Sequence, residues 1–272
     1  RYHPADEPGA AAPMERIVIL QGEEGLGKEN LAAWSVAAAE TEGLWVHALE
    51  PQHEEGPAAF LDRLLQSLLQ GTEADLYAMK PQVARSLSRV LGSYAFLTGG
   101  RKLKGAEDQV EPEELKAALE AMDFASRLHP RLIHLPGLRH AGPDVVALLR
   151  ELIQRSRLPW LICITTGTEG SRLKPLLAPL KGDAAVAAVH LNRLEDEDLR
   201  QLLSDLLGPE AIPEAVQREL IHRSLGNPGL LQSLLELAQQ DGALAWRGGK
   251  WQFTGRLGKP VKAHEDLVSQ VL

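Results

Sequence analysis

The chain has 272 residues, of which 44% are apolar and 24% are charged, as in an ordinary globular protein with one large domain or two modest ones. Its formal net charge of −8 argues against a surface that binds nucleic acid or an anionic membrane, because phosphate binding needs clustered Lys and Arg. The sequence has no signal peptide and no apolar run near 18 residues, so we expect a cytoplasmic protein that does not enter a membrane.

The first part of the chain alternates strands with helices. Residues 1–13 are rich in Pro, Ala and Gly and indicate a linker or tail. The apolar run 16–21 predicts a strand buried on both faces of a parallel sheet. Residues 28–43 have helix-favouring composition, residues 44–50 predict a second strand, and residues 56–71 carry leucines at helical spacing.

The middle of the chain gives a weaker signal before the alternation resumes. Residues 79–96 are helical in pattern, and residues 97–112 indicate a loop with a small basic cluster at Arg101, Lys102 and Lys104. A solvated loop is the favoured interpretation of that cluster. An amphipathic helix with proline at its start is predicted over 112–129, a strand over 131–135 and a further helix over 142–156.

The last part of the chain changes from alternation to successive helices. Two more strands are predicted over 159–167 and 184–191. The single cysteine, Cys163, falls in the first of them and is expected to be a small core residue in a reducing compartment. Three helices, a hairpin and the start of another helix are predicted over 195–208, 213–226, 227–242, 243–253 and 263–272.

The stretch VILQGEEGLGKENLAAW, residues 18–34, has the pattern of a phosphate-binding loop. Gly-x-x-x-x-Gly-Lys follows a predicted strand and precedes a predicted helix, so backbone N–H groups and the helix N-terminus would face phosphate, with Lys28 reaching the terminal phosphates. The expected ligand is ATP or ADP, and Mg²⁺ is left open. The candidate nucleotide-binding residues are Gly22, Glu24, Gly25, Leu26, Gly27, Lys28, Glu29, Asn30 and, in the C-terminal part, Pro228.

The chain resembles the AAA-like P-loop NTPase domains of the STAND class, which occur in bacterial signalling regulators. The resemblance rests on the loop, on RLIHLPGLRHAGPDVVALLREL at the Walker B strand, on WLICITTGTEG at the sensor strand, and above all on HRSLGNPGLLQSLLELAQQDGALAWRGGKWQF. The last stretch is similar to the family's Gly-Asn-Pro lid motif and Trp-bearing hairpin. The resemblance implies that Pro228 lies against the adenine; a proline that begins a helix would explain it equally well.

These observations predict an α/β fold, in which a P-loop NTPase parallel sheet is flanked by helices and followed by a helical lid and a winged-helix-like C-terminal piece. The expected domain boundaries are a linker or tail over 1–13, an α/β domain over 14–193, a lid over 194–241 and the start of a winged-helix-like domain over 242–272.

Two departures from the family's pattern bear on activity. The position after Lys28, where the family has a hydroxyl that ligates magnesium, carries Glu29. The Walker B strand should end in acidic residues, but here it ends His134-Leu135-Pro136-Gly137. The nearest acid downstream, Asp144, is better interpreted as a helix-start residue favoured by the helix dipole.

Other candidate residues have weaker support. His134 and His140 lack further metal ligands nearby in sequence, so no metal site is predicted and solvated or structural roles are favoured. Thr165 and Thr166 occupy the sensor position, where they could hydrogen-bond a terminal phosphate. Arg172 lies just past the sensor strand and could reach a phosphate or a neighbouring subunit, although solvation is the simpler interpretation.

The sequence therefore predicts a degenerate nucleotide-binding domain with no catalytic residues assigned and little or no ATP hydrolysis. It would serve as a regulatory or scaffolding module in signalling, with protein partners or flanking domains of a larger chain, or as a homo-oligomer. Two alternatives stay open. One is a slow ATPase that recruits Glu29, Asp144 or an acid from another chain, and the other is an interaction module that binds no nucleotide.

Overall fold

A computed structural model of the chain describes residues 16–72, 109–165, 173–180, 183 and 185–255. The predicted linker 1–13, the helix over 79–96, the basic cluster at 101–104 and the helix over 263–272 lie outside the described residues, as do Thr166 and Arg172. The side chain of Thr165 is likewise not described.

The described chain forms two compact units. The described residues of unit 1 fall within Arg1–Leu20 and Leu31–Val189, and those of unit 2 fall within Gln21–Asn30 and His190–Leu272. The glycine-rich loop therefore groups with the C-terminal part of the chain, although the strand before it and most of the helix after it belong to unit 1.

The five-stranded sheet consists of β1 (Ile17–Gly22), β2 (Trp45–Ala48), β3 (Arg131–Leu135), β4 (Trp160–Thr165) and β5 (Val186–His190). Its strand order is β2-β3-β4-β1-β5, and β3 runs parallel to both β2 and β4. Each of these strands was predicted from its apolar run, and β3 has the predicted bounds. The α/β class with a parallel sheet flanked by helices is confirmed.

Helices lie between these strands and after the last of them. Their bounds are α1 (Lys28–Thr41), α2 (Pro57–Leu69), α3 (Pro112–Leu128), α4 (Pro143–Arg155), α5 (Lys174–Leu177), α6 (Asp196–Leu207), α7 (Glu214–Ser224) and α8 (Pro228–Gln240). Proline occupies the first turn of α2, α3, α4 and α8, where its missing N–H costs nothing. The four-residue α5, continued by a 3₁₀ turn over Ala178–Leu180, is the one described helix that the sequence analysis did not predict.

The main core of unit 1 lies between the sheet and helices α2, α3 and α4. Leucine dominates it, and α2 alone buries Phe60, Leu61, Leu64, Leu65, Leu68 and Leu69 completely. A second, smaller cluster of buried residues contains Leu20, Ala32 and Cys163. Cys163, which was predicted to be a core residue, is 1% exposed. Because apolar side chains are buried on both faces of the sheet, the sequences of its strands are continuous apolar runs.

Unit 2 has a separate core built from α6, α7, α8 and a two-stranded hairpin. The hairpin pairs β6 (Leu244–Arg247) with β7 (Lys250–Phe253) in antiparallel register, and it turns at the predicted glycines Gly248 and Gly249. Trp251 packs partly against this core, whereas Trp246 is 61% exposed and meets the edge of the Trp251 ring. Among the described helices, none is both long enough and apolar enough to cross a bilayer.

Candidate nucleotide site

The loop between β1 and α1 contains two glycines in the left-handed backbone region. Gly25 has φ 81° and Gly27 has φ 88°, values that L-residues with a side chain rarely adopt. α1 then begins at Lys28, so the loop leads directly into a helix N-terminus. Consecutive amides in such a turn, together with the positive end of a helix, favour an anion.

Lys28 is the charged group of the loop, and it is held inward. Its side chain is 1% exposed, and its Nζ donates a hydrogen bond to the Glu23 carbonyl over 2.8 Å. The Oε1 atom of Glu29 lies 3.9 Å from the same Nζ, with the Glu29 side chain 63% exposed. Glu29 therefore places a negative charge beside the lysine.

The loop is attached to the C-terminal helices of unit 2 through Asn227, whose side chain is fully buried. Its Nδ2 donates to the Glu24 carbonyl over 2.8 Å. Its Oδ1 accepts from the backbone N–H groups of Gly229, at 2.9 Å, and Leu230, at 3.1 Å. One side chain thus caps α8 and fastens the glycine loop to it.

Two glycines allow this close approach. The Gly229 N–H donates to the Gly25 carbonyl over 2.9 Å. A Cβ on Gly229 would lie 2.7 Å from the Gly25 Cα, and a Cβ on Gly25 would lie 2.6 Å from the Asn227 Oδ1. A second tie is the ion pair between Arg193 and Glu23, at 2.9 Å. The loop and the first turn of α8 therefore touch backbone to backbone.

Pro228 takes the first position of α8, as one of its two interpretations proposed. The preceding Leu225 and Gly226 have positive φ values of 52° and 80° and end α7 in a left-handed turn. The prediction that Pro228 begins a helix is therefore confirmed. The predicted contact of Pro228 with adenine stays a prediction.

A cavity of about 740 Å³ opens beside the loop within unit 2, and this volume suits a small organic ligand. Its walls include five of the predicted nucleotide-binding residues, Gly25, Gly27, Glu29, Asn30 and Pro228. The rest of the wall is mostly apolar and comes from α6, α8 and Trp251. Glu29 and Glu236 are its charged lining residues, and none of the described residues that line it is Lys or Arg. The cavity therefore suits an uncharged ring system better than a phosphate chain.

The end of β3 carries no carboxylate of its own, because Pro136 and Gly137 follow Leu135. A carboxylate comes instead from the end of β2: Glu50 Oε1 lies 3.3 Å from the place that a Cβ on Gly137 would occupy. Arg139 lies 3.5 Å from the same oxygen. Sequence reasoning missed Glu50 because the two strands are far apart along the chain; the adjacency of β2 and β3 in the sheet was the signal that could have found it.

The structure also describes three other residues that were considered from the sequence: His134, Asp144 and His140. His134 is buried on β3, with its Nε2 3.8 Å from the Sγ of Cys163 on β4, and burial lowers its pKa. Asp144 lies in the first turn of α4, as expected of a helix-start residue. His140 faces His53, with 6.0 Å between the ring centroids.

The strand order together with the glycine loop after β1 gives the α/β arrangement of a P-loop NTPase-like fold. No protein-family model matches the chain, and no curated protein sequence matches it either.

Solved structures with a similar fold include the ORC2 protein of Aeropyrum pernix in its ADP form, with 16% identity, 96% of this chain and 63% of that chain covered, and a TM-score of 0.46. The same protein in ADPNP-ADP complexes matches with 16% identity, 85% and 59% coverage and a TM-score of 0.45. A chain of the HORMA:CdnC:Trip13 complex of E. coli MS115-1 matches with 16% identity, 84% and 69% coverage and a TM-score of 0.42. The present chain thus spans about three fifths of the ORC2 chains that it matches.

Proposed function

We propose that this chain is a degenerate nucleotide-binding domain of the STAND type, which binds an adenine nucleotide at the glycine loop and hydrolyses it slowly or not at all. Its role would be regulatory or scaffolding, exerted on protein partners or on flanking domains of a larger chain. The observation that carries the proposal is the contrast between a loop that keeps its phosphate-binding geometry and a β3 strand that ends without a magnesium-binding acid.

Several contacts support nucleotide binding. Gly25 and Gly27 adopt the left-handed conformations of a phosphate cradle, and Lys28 begins the helix behind it. The apolar cavity next to the loop has room for an adenosine group. Because none of the described residues that line it is basic, we expect the phosphates at the loop amides and Lys28, and the base and sugar in the cavity.

The residues around the loop fit the nucleotide better than they fit magnesium. Glu29 replaces the hydroxyl ligand, and its carboxylate lies beside Lys28, where it repels phosphate when no metal intervenes. Phosphoryl transfer depends on positioning and on charge neutralisation by Mg²⁺. If each missing electrostatic group costs roughly 3 to 4 kcal/mol, losing both slows hydrolysis by about four to six orders of magnitude.

Regulation would act through the contact between the loop and α8. Any ligand that binds more tightly when this contact is formed shifts the chain toward that conformation, by an amount set by the difference in affinity. The Asn227 side chain and the Gly25–Gly229 backbone bond are the groups that such a ligand would strengthen or release.

A second candidate function is slow ATP hydrolysis, and Glu50 is the observation that favours it. Its carboxylate lies beside Gly137, just after the end of β3, where the domains that the sequence resembles place their acids, although it comes from the segment that follows β2 and is paired with Arg139. In this case Glu50→Gln removes the residual turnover and leaves nucleotide affinity within about twofold.

One experiment separates the candidates. The chain is titrated with a fluorescent ATP analogue, with and without Mg²⁺, and phosphate release is measured on the same sample. Binding without turnover, with little effect of Mg²⁺, is the result expected from the first proposal. Magnesium-dependent binding with turnover favours the second candidate. The absence of binding at millimolar nucleotide overturns both and leaves a protein-interaction module.

A further inference from the structure

A buried arginine in unit 1 lies far along the chain from the glycine loop and plays no part in the proposed function. Arg131, the first residue of β3, is 1% exposed. Its Nε donates to the Ala125 carbonyl near the end of α3 over 3.0 Å, and its Nη1 lies 3.0 Å from His47 Nε2. The guanidinium lies over the Trp45 ring, 4.8 Å from its centroid.

The positive charge of Arg131 has no anionic partner within the described part of the chain. Its Nη2 is buried and makes no hydrogen bond. The contacts it does have are a carbonyl, an aromatic face and an imidazole, which solvate a cation only partly. An unpaired buried charge costs several kcal/mol, so such groups are normally paired.

His47 does not supply the missing negative charge, because burial and the neighbouring arginine keep its ring neutral. Burial, together with the charge of Arg131, lowers the pKa of His47 to about 4, so the ring is neutral at pH 7. Its Nε2 then accepts from Arg131, and its Nδ1–H donates to Ser67 Oγ over 3.0 Å. Arg131, His47 and Ser67 thus form a relay of hydrogen bonds, in which Arg131 donates to His47 and His47 donates to Ser67. No acidic side chain of the described residues takes part in this relay.

An open cavity of about 500 Å³ adjoins this relay. Trp45 and His47, the two side chains in contact with the guanidinium, both line the cavity, as does Ser67. The charge of Arg131 therefore lies one side chain behind the cavity wall. Gln70 adds an amide to that wall, and Glu40 is the acidic residue that lines it.

We propose that this cavity, defined here as the Arg131 pocket, binds a small singly charged carboxylate. The ligand would supply the anion that the guanidinium lacks, and its hydrogen bonds would come from the Ser67 hydroxyl and the Gln70 amide. Glu40 raises the cost of a second negative charge through like-charge repulsion, so a monocarboxylate is favoured over a phosphate dianion. Because the guanidinium lies behind Trp45 and His47, it would favour the carboxylate through its charge and not through a direct hydrogen bond.

The test uses the whole chain and acetate as the probe. Imidazole nitrogen signals are followed by NMR at pH 7 while sodium acetate replaces sodium chloride at constant ionic strength, with His47→Gln assigning the His47 signals. The expected result is a saturable shift of the His47 signals at millimolar acetate, and at least a tenfold weaker response to phosphate. His47 signals that do not distinguish acetate from chloride overturn the proposal, and a response equal to or stronger in phosphate overturns the assignment to a monocarboxylate.

Variants locate the effect. Arg131→Met abolishes the acetate response, whereas Arg131→Lys retains it with lower affinity. If Arg131→Met does not fold, Ser67→Ala takes its place and lowers acetate affinity at least threefold; an unchanged affinity counts against the pocket. Lys28→Met is the control for anion binding at the glycine loop: the His47 response persists in it unchanged, and its loss would assign the effect to the loop instead.

Discussion

The contact between the glycine loop and α8 can be tested at Asn227, whose single side chain serves both. Asn227→Ala removes the cap of α8 and the hydrogen bond to the Glu24 carbonyl. A lost N-cap costs about 1 kcal/mol and a lost buried hydrogen bond about 1 kcal/mol, so unit 2 should lose roughly 2 kcal/mol of stability.

The matched control is Asn227→Ser. Serine caps a helix as well as asparagine does, but its hydroxyl is too short to reach the loop carbonyl. It should therefore cost about 1 kcal/mol, and the difference between the two variants isolates the cap from the loop contact.

Urea unfolding followed by tryptophan fluorescence measures the stability, and hydrogen exchange measures the loop directly. In both variants we expect the amides of residues 25–28 to exchange about fivefold to tenfold faster, which corresponds to a loss of about 1 kcal/mol. Exchange in the loop that is unchanged in both variants would refute the view that Asn227 holds it. Equal stabilities of the Ser and Ala variants would refute the capping role.

Three further outcomes are expected. Lys28→Ala abolishes nucleotide binding in the fluorescent-analogue titration, and an unchanged affinity would contradict the phosphate cradle. Glu29→Thr strengthens magnesium-nucleotide binding about tenfold or more without restoring hydrolysis, because the end of β3 still lacks an acidic residue. Rapid phosphate release by this variant would show that hydrolysis does not need an acidic residue at the end of β3. Because the pKa of His47 falls from 6.5 to about 4 on folding, the unfolded chain takes up the proton first. Stability is then complete above pH 6.5 and declines as pH falls toward 4, by at most about 3 kcal/mol. Urea unfolding at pH 4.5 and pH 7 should show a smaller difference for His47→Gln than for the wild type, and an equal difference would mean that His47 is not the group responsible.

Local sequence signals predicted the elements of the fold well. The apolar run of β3, the glycine spacing of the loop and the proline at the start of α8 each act within a few residues, so the sequence alone shows them. The four-residue α5 was missed because one helical turn is too short to display a period.

The contacts that define the candidate sites were less accessible. Glu50 meets the end of β3 only because β2 and β3 are neighbours in the sheet. In the sequence, Arg131 looks like an ordinary arginine at the start of a strand. Only the structure shows that it is buried and lies over the Trp45 ring. The cap at Asn227 was foreseeable from Gly-Asn-Pro, but the second hydrogen bond of the same side chain joins residues 203 positions apart. Spacing rules do not reach over such a separation.

That separation also sets an order of events during synthesis. Asn227 leaves the ribosome 203 residues after Glu24, and at typical elongation rates of about 5–20 residues per second this amounts to roughly 10–40 seconds. Throughout that interval the strands and helices of unit 1 can assemble, while the glycine loop still waits for the side chain that fastens it. In a nascent chain halted before Asn227, the glycine loop would lack the hydrogen bond from Asn227. The nucleotide affinity of that chain would therefore measure the contribution of the loop without its contact to α8.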